Sequence, residues 1–103
     1  MTAATIRVLL VDDSSLAREM LRDILQQEPG ILVVGEAVNG REAVEKARLL
    51  KPNLITMDLE MPVMSGMDAI TAIMCDKAIP ILVVSGVADA PKAYEAVRRG
   101  ALD

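Results

Sequence analysis

Short apolar runs without alternating polar residues recur along the chain, separated by stretches with helical periodicity. Three of these runs are residues 8–11 (VLLV), 31–34 (ILVV) and 81–84 (ILVV). A strand that is apolar at every position is buried on both faces, as in a parallel sheet with helices on either side. The alternation therefore predicts βαβ units and an α/β domain built on a doubly wound parallel sheet.

Capping and stop signals divide the chain into four strands and four helices. Strands are expected at about residues 6–12, 31–34, 53–58 and 79–85. The first helix follows Asp13-Ser14, Asn39 and Ser65 are suited to begin the next two, and Asp89-Ala90-Pro91 opens the fourth. Five residues of the first helix form an apolar stripe that is expected to face the core. They are Leu16, Met20, Leu21, Ile24 and Leu25.

Length and composition favour one domain and exclude several kinds of partner. The chain has 103 residues, and Tyr94 is its only aromatic residue, so stacking on nucleic-acid bases is not expected. A net charge of −4 without a basic stripe also argues against direct nucleic-acid binding. No apolar run is long enough to insert into a membrane, and a cytoplasmic location is predicted. The single cysteine, Cys75, is expected to be a small buried residue.

Acidic residues follow two of the predicted strands. Asp12 and Asp13 come after the first strand, and Asp58 comes after the third. If these strands are neighbours, the acids meet at the carboxyl edge of one sheet, where open α/β folds bind their ligands. The chain contains no histidine, and oxygen ligands suit Mg²⁺. The sequence therefore predicts a magnesium site, although Asp12 and Asp13 could instead cap the first helix.

Asp58 is the best candidate for a nucleophile, because a carboxylate can accept a phosphoryl group as an aspartyl phosphate. The backbone carbonyl of Glu60 could join the metal ligands. Ser85 follows the fourth strand, where its hydroxyl could donate to a phosphate oxygen; a simple turn residue is the less favoured alternative. Asp58 taken alone could also be an ordinary residue at the end of a strand.

These residues carry a family resemblance. The Asp12-Asp13 pair, the segment 58–62 (DLEMP) with Gly66, and Ser85 resemble the motifs of a response regulator receiver domain from two-component signalling. The amino-acid sequence of residues 58–66 and 80–85 is most similar to that of the receiver of chemotaxis protein-glutamate methylesterase. The resemblance implies a flavodoxin-like sheet of strand order 2-1-3-4, with a fifth strand and helix missing from this chain. Residues 1–103 would then be a receiver domain truncated at its C-terminal end.

The resemblance also implies a mechanism. Asp58 would accept a phosphoryl group from a histidine kinase, with Mg²⁺ held by Asp12, Asp13, Asp58 and the Glu60 carbonyl. The protein would catalyse its own phosphorylation, and Ser85 would act as a switch hydroxyl that re-packs the surface of the fourth strand and fourth helix. The closer likeness implies an effector domain with methylesterase activity beyond the C-terminus.

The family carries a lysine on its fifth strand, which should lie beyond Asp103. Without that strand, the fourth strand would be an exposed edge, and the chain is expected either to self-associate through it or through the fourth helix, or to be poorly stable. The alternative function is a receiver-like interaction module that docks onto partners without being phosphorylated.

Overall fold

A computed structural model describes residues 5–84 of the chain. The predicted fourth helix and Ser85 lie outside the described residues. Strands and helices alternate throughout the described part. They are β1 (Ile6–Val11), α1 (Ser15–Gln26), β2 (Ile31–Ala37), α2 (Gly40–Leu50), β3 (Leu54–Met57), α3 (Gly66–Asp76) and β4 (Ile81–Val83).

The four described strands form one parallel sheet in the order β2-β1-β3-β4. This confirms the predicted doubly wound α/β fold and its strand order. In the register of the sheet, Val11 at the end of β1 pairs with Ala37 of β2 on one side and with Met57 of β3 on the other. Three strands therefore end at the same level, and the residues that follow them start from one edge.

Each described helix begins with a polar cap at that same edge. The side chains of Ser14, Asn39 and Ser65 accept hydrogen bonds from the backbone N–H of the third residue of α1, α2 and α3, respectively. Such caps satisfy N–H groups that have no partner within the helix. Since Ser14 holds the cap position of α1, Asp12 and Asp13 lie before the helix and do not cap it.

The main core lies between one face of the sheet and the helices α2 and α3. Leu9, Val11, Ile55 and Met57 point to this face and are at most 1% exposed. Side chains alternate along a strand, so Val8 and Leu10 point to the opposite face, where α1 packs. Helices therefore cover both faces, as the apolar runs predicted.

The prediction for the apolar stripe of α1 was wrong in part. Leu16, Met20 and Ile24 are 64%, 57% and 59% exposed, whereas Leu21 and Leu25 are half-buried. The five residues span two neighbouring rows of the helix. One row contacts the sheet, and no described element covers the other.

Cys75 was also predicted to be buried, but it is exposed near the end of α3. Its helix turns Ile70 and Ile73 toward the core, which leaves Cys75 on the outer side. Among the described residues, no helix is long and apolar enough to cross a membrane.

Candidate metal centre at the carboxyl edge

Three carboxylates meet where β1 and β3 end. One oxygen each of Asp12, Asp13 and Asp58 lie within 4.8 Å of one another. The backbone fixes this arrangement, because the Asp58 N–H donates to the Val11 carbonyl at 2.9 Å and the Asp12 N–H donates to the Ala37 carbonyl at 3.0 Å. Both aspartates thus continue the hydrogen bonding of the sheet one residue past the strands.

The cluster suits a hard divalent cation. Asp12 and Asp58 are half-buried and Asp13 is exposed. Carboxylates within 4.8 Å of one another repel, and the solvent screens this repulsion only in part at the half-buried positions. A cation removes this repulsion, and the ligand atoms are all carboxylate oxygens, which Mg²⁺ prefers to softer ligands. The residues therefore fit Mg²⁺ by charge and by donor type.

Asp12 makes two hydrogen bonds in addition to the backbone bond that continues the sheet. Its Oδ1 accepts the N–H of Ser14 at 2.9 Å, and its backbone carbonyl accepts Nη1 of Arg18 at 2.7 Å. Arg18 also donates through Nε to Oε1 of Glu36 at 2.8 Å. Reasoning from the sequence missed Arg18, although its position six residues after Asp12 on a helix that starts at the site is a usable signal.

Glu36 is the centre of a small ionic group beside the acids. It lies on β2 and contacts the guanidinium groups of Arg18 and Arg22, which come from successive turns of α1. Burial raises the pKa of Glu36, but the hydrogen bonds and positive charges of the two arginines outweigh it and leave the pKa below 4.5, its ordinary value. Glu36 is therefore held in its charged form.

The loop between β3 and α3 is pressed against the backbone of Asp58. A Cβ atom added to Gly66 would lie 2.2 Å from the Asp58 carbonyl oxygen, and the Gly66 N–H donates to the Leu59 carbonyl at 2.9 Å. The Gly40 N–H donates to the Met64 carbonyl at 2.9 Å from the start of α2. Two helices thus fix the loop that follows Asp58.

The structure brings together three of the five residues predicted for the site, namely Asp12, Asp13 and Asp58. Glu60 is exposed, and its N–H donates to Oδ1 of Asp58 at 3.4 Å, so the backbone of Glu60 lies beside the acids. Ser85 falls outside the described residues, one position after Val84.

Known proteins are similar to this chain in sequence and in fold. The family model of the response regulator receiver domain matches residues 8–103. A protein-glutamate methylesterase/protein-glutamine glutaminase of Paramagnetospirillum magneticum is 64% identical over 98 residues, which are 95% of this chain and 28% of that protein. One from Carboxydothermus hydrogenoformans is 52% identical over 95% of this chain and 28% of its own length. The chain thus spans little more than a quarter of the length of these curated relatives.

Among solved structures, the response regulator domain of Thermotoga maritima CheB is 46% identical and superposes with a TM-score of 0.91. The match covers 96% of this chain and 75% of that domain. The receiver domain of NarL from Mycobacterium tuberculosis is 29% identical, with a TM-score of 0.88 over 96% of this chain and 81% of its own. The chain therefore belongs to the response regulator receiver domain family, and it is similar to the receivers of protein-glutamate methylesterases.

Proposed function

We propose that this chain is a phospho-accepting receiver in which Asp58 takes a phosphoryl group from the phosphohistidine of a histidine kinase. The observation that carries this proposal is the meeting of the Asp12, Asp13 and Asp58 carboxylates within 4.8 Å. Such a cluster needs a cation to balance its negative charge, and phosphoryl transfer needs a cation to balance the charge of the phosphoryl oxygens. Membership of the receiver family supports the same function.

In the proposed reaction, a carboxylate oxygen of Asp58 attacks phosphorus while the bond from phosphorus to the histidine nitrogen breaks, and that nitrogen leaves with the electron pair. Mg²⁺, held by Asp12, Asp13, Asp58 and the backbone carbonyl of Glu60, would neutralise charge on the phosphoryl oxygens. The chain's own part is to hold Asp58 in place. Its backbone is fixed by the Val11 carbonyl, and the Glu60 N–H orients its Oδ1.

We also propose that Ser85 reads the phosphorylation state and re-packs the β4–α4 surface. Support comes from β4, since the Val84 N–H donates to the Met57 carbonyl at 3.0 Å, one residue before Asp58. Val84 is thus bonded to the residue that precedes Asp58, and Ser85 follows Val84 in the sequence. A new phosphoryl charge there would bias a two-state element.

The wider assignment is a proposal as well. Residues 1–103 would be part of a cytoplasmic chemotaxis receiver whose remaining strand and helix, and a methylesterase effector domain, lie in a longer protein. The shares of 28% of a methylesterase and 75% of a receiver domain support this division. The mass of the complete gene product would test whether the protein is longer, and a methylesterase assay on that product would test the effector domain.

The phosphorylation proposal is tested by intact mass after incubation with Mg²⁺ and acetyl phosphate. A single adduct of one phosphoryl group is expected, and it should be lost in Asp58→Asn and when Mg²⁺ is removed with EDTA. Asp23→Asn is the matched control, because Asp23 is an exposed aspartate on α1. If neither the folded chain nor the complete gene product gives an adduct, or if the adduct persists in Asp58→Asn, the proposal is wrong and a docking module is favoured.

A further inference from the structure

The side chain of Arg18 ties together three parts of the fold next to the acids. It belongs to α1, its Nε donates to Glu36 on β2, and its Nη1 donates to the backbone carbonyl of Asp12. The side chain is only 14% exposed. A guanidinium group with two short hydrogen bonds and little solvent contact has one well-defined position.

The carbonyl that Arg18 binds belongs to the peptide unit that joins Asp12 to Asp13. The orientation of this peptide plane sets the backbone positions from which the two neighbouring carboxylates extend. On its other side, Asp12 is fixed by its N–H bond to the Ala37 carbonyl, and its carboxylate is fixed by the Ser14 N–H. Arg18 therefore supplies the contact that orients the link between the two acids.

Glu36 keeps Arg18 in place. Its carboxylate accepts from Arg18, and its backbone carbonyl accepts from Nζ of Lys46 on α2. Glu36 on β2 pairs with Leu10 of β1, two residues before Asp12, so the support lies on the strand next to the one that leads into Asp12 and Asp13.

We propose that Arg18 is a positioning residue for the metal centre, acting through the Asp12 carbonyl. This inference rests on the proposed function, since it assumes that the acids bind Mg²⁺. Groups that orient metal ligands without touching the metal commonly change its affinity by about 10- to 100-fold when they are removed. Arg18 meets that description for Asp12 and, through the shared peptide, for Asp13.

Arg22 provides a matched control on the same helix. Its guanidinium contacts the same carboxylate of Glu36. Within residues 5–84, it donates no hydrogen bond to Asp12. Both Arg18→Gln and Arg22→Gln remove one positive charge and one ion pair with Glu36, but only Arg18→Gln removes the bond to the Asp12 carbonyl.

The test is calorimetric titration of the 103-residue chain with MgCl₂. The Kd for Mg²⁺ should rise about tenfold or more in Arg18→Gln and stay within about twofold in Arg22→Gln. If Arg18→Gln does not fold, Arg18→Lys and Arg22→Lys give the same comparison with the charge retained. Equal Kd values in the two arms of a pair would overturn the proposal.

A second measurement separates this inference from the proposed function. Hydrogen exchange of the Ser14 amide, followed by NMR without Mg²⁺, reports how well the Asp12 carboxylate is held. Faster exchange is expected in Arg18→Gln than in Arg22→Gln. If the unmodified chain binds no Mg²⁺, the proposal of a metal site is wrong, but the difference in Ser14 exchange between the two variants still tests whether Arg18 positions Asp12. Equal exchange in the two variants would refute the role of Arg18 whether or not Mg²⁺ binds.

Discussion

Replacing Gly66 by alanine should damage both the fold and the site. The new Cβ would lie 2.2 Å from the Asp58 carbonyl oxygen and 2.7 Å from the Leu59 Cα, and both are backbone atoms that cannot rotate away. To move beyond 3.0 Å, the Asp58 carbonyl must shift by at least 0.8 Å relative to α3. Forcing extra volume into a packed region costs about 1 to 3 kcal/mol.

Part of that cost is offset, because alanine loses less backbone freedom than glycine on folding, by about 0.4 to 1 kcal/mol. The free energy of unfolding of Gly66→Ala should therefore fall by about 1.3 kcal/mol. With a urea dependence of about 1 to 2 kcal/mol per molar, the midpoint of urea unfolding moves down by about 0.7 to 1.3 M. Circular dichroism at increasing urea measures it.

Gly35→Ala is the matched control for this prediction. Its Cβ would meet Cδ1 of Leu50 at 2.6 Å, and that atom is the end of a flexible side chain. Rotation of Leu50 relieves the contact, so the loss should stay below about 1 kcal/mol. The steric reasoning is refuted if Gly66→Ala unfolds at the same urea concentration as Gly35→Ala.

Four other measurements follow from single features. Thr56→Val should raise the free energy of unfolding by about 1 kcal/mol in urea titrations, because the buried Thr56 Oγ1 has no hydrogen-bond partner in the described part of the chain. Thr71→Val is the control, and it should not raise the free energy of unfolding because Thr71 is exposed. Val63→Gly should raise the free energy of unfolding by about 1 kcal/mol in the same assay, because Val63 has a φ of 68°, which glycine adopts without strain, and its side chain is 75% exposed. An unchanged midpoint would show that the turn is not strained. Because the pKa of Glu36 is lowered on folding, its contribution to stability is complete above pH 4.5 and is lost as the pH falls below that value. Glu36→Gln should flatten this acid loss in thermal melts at pH 3 to 6. Sedimentation velocity should show concentration-dependent self-association through β4, which pairs on one side only among the described strands; a monomer at all concentrations would contradict it.

The strands and the meeting of the acids were predictable from the sequence because they follow from local patterns. An apolar run marks a buried strand, and the residue after it lies at the strand tip, so Asp12, Asp13 and Asp58 had to share an edge once β1 and β3 were neighbours. Helix starts were equally local, since Ser14, Asn39 and Ser65 cap their own helices.

The contact of Arg18 with Glu36 was not predictable, because it depends on the register of β2. The register shifts between Val8 and Leu9, and this irregularity places Glu36 opposite Leu10 on the face where α1 packs. A shift of one residue would turn Glu36 to the other face of the sheet. The exposure of Met20 could not be foreseen either, since periodicity gives the apolar side of a helix but not what covers it.

The common starting level of the capped helices has an electrostatic consequence. In a parallel sheet with crossover helices, α1, α2 and α3 all begin at the edge where the strands end. Each helix start carries about half a positive charge from its aligned peptide groups. The acids thus sit in a field from three helix starts that favours negative charge, and an approaching phosphodonor meets the same field. The backbone itself supplies part of the counter-charge at this edge before any ion binds.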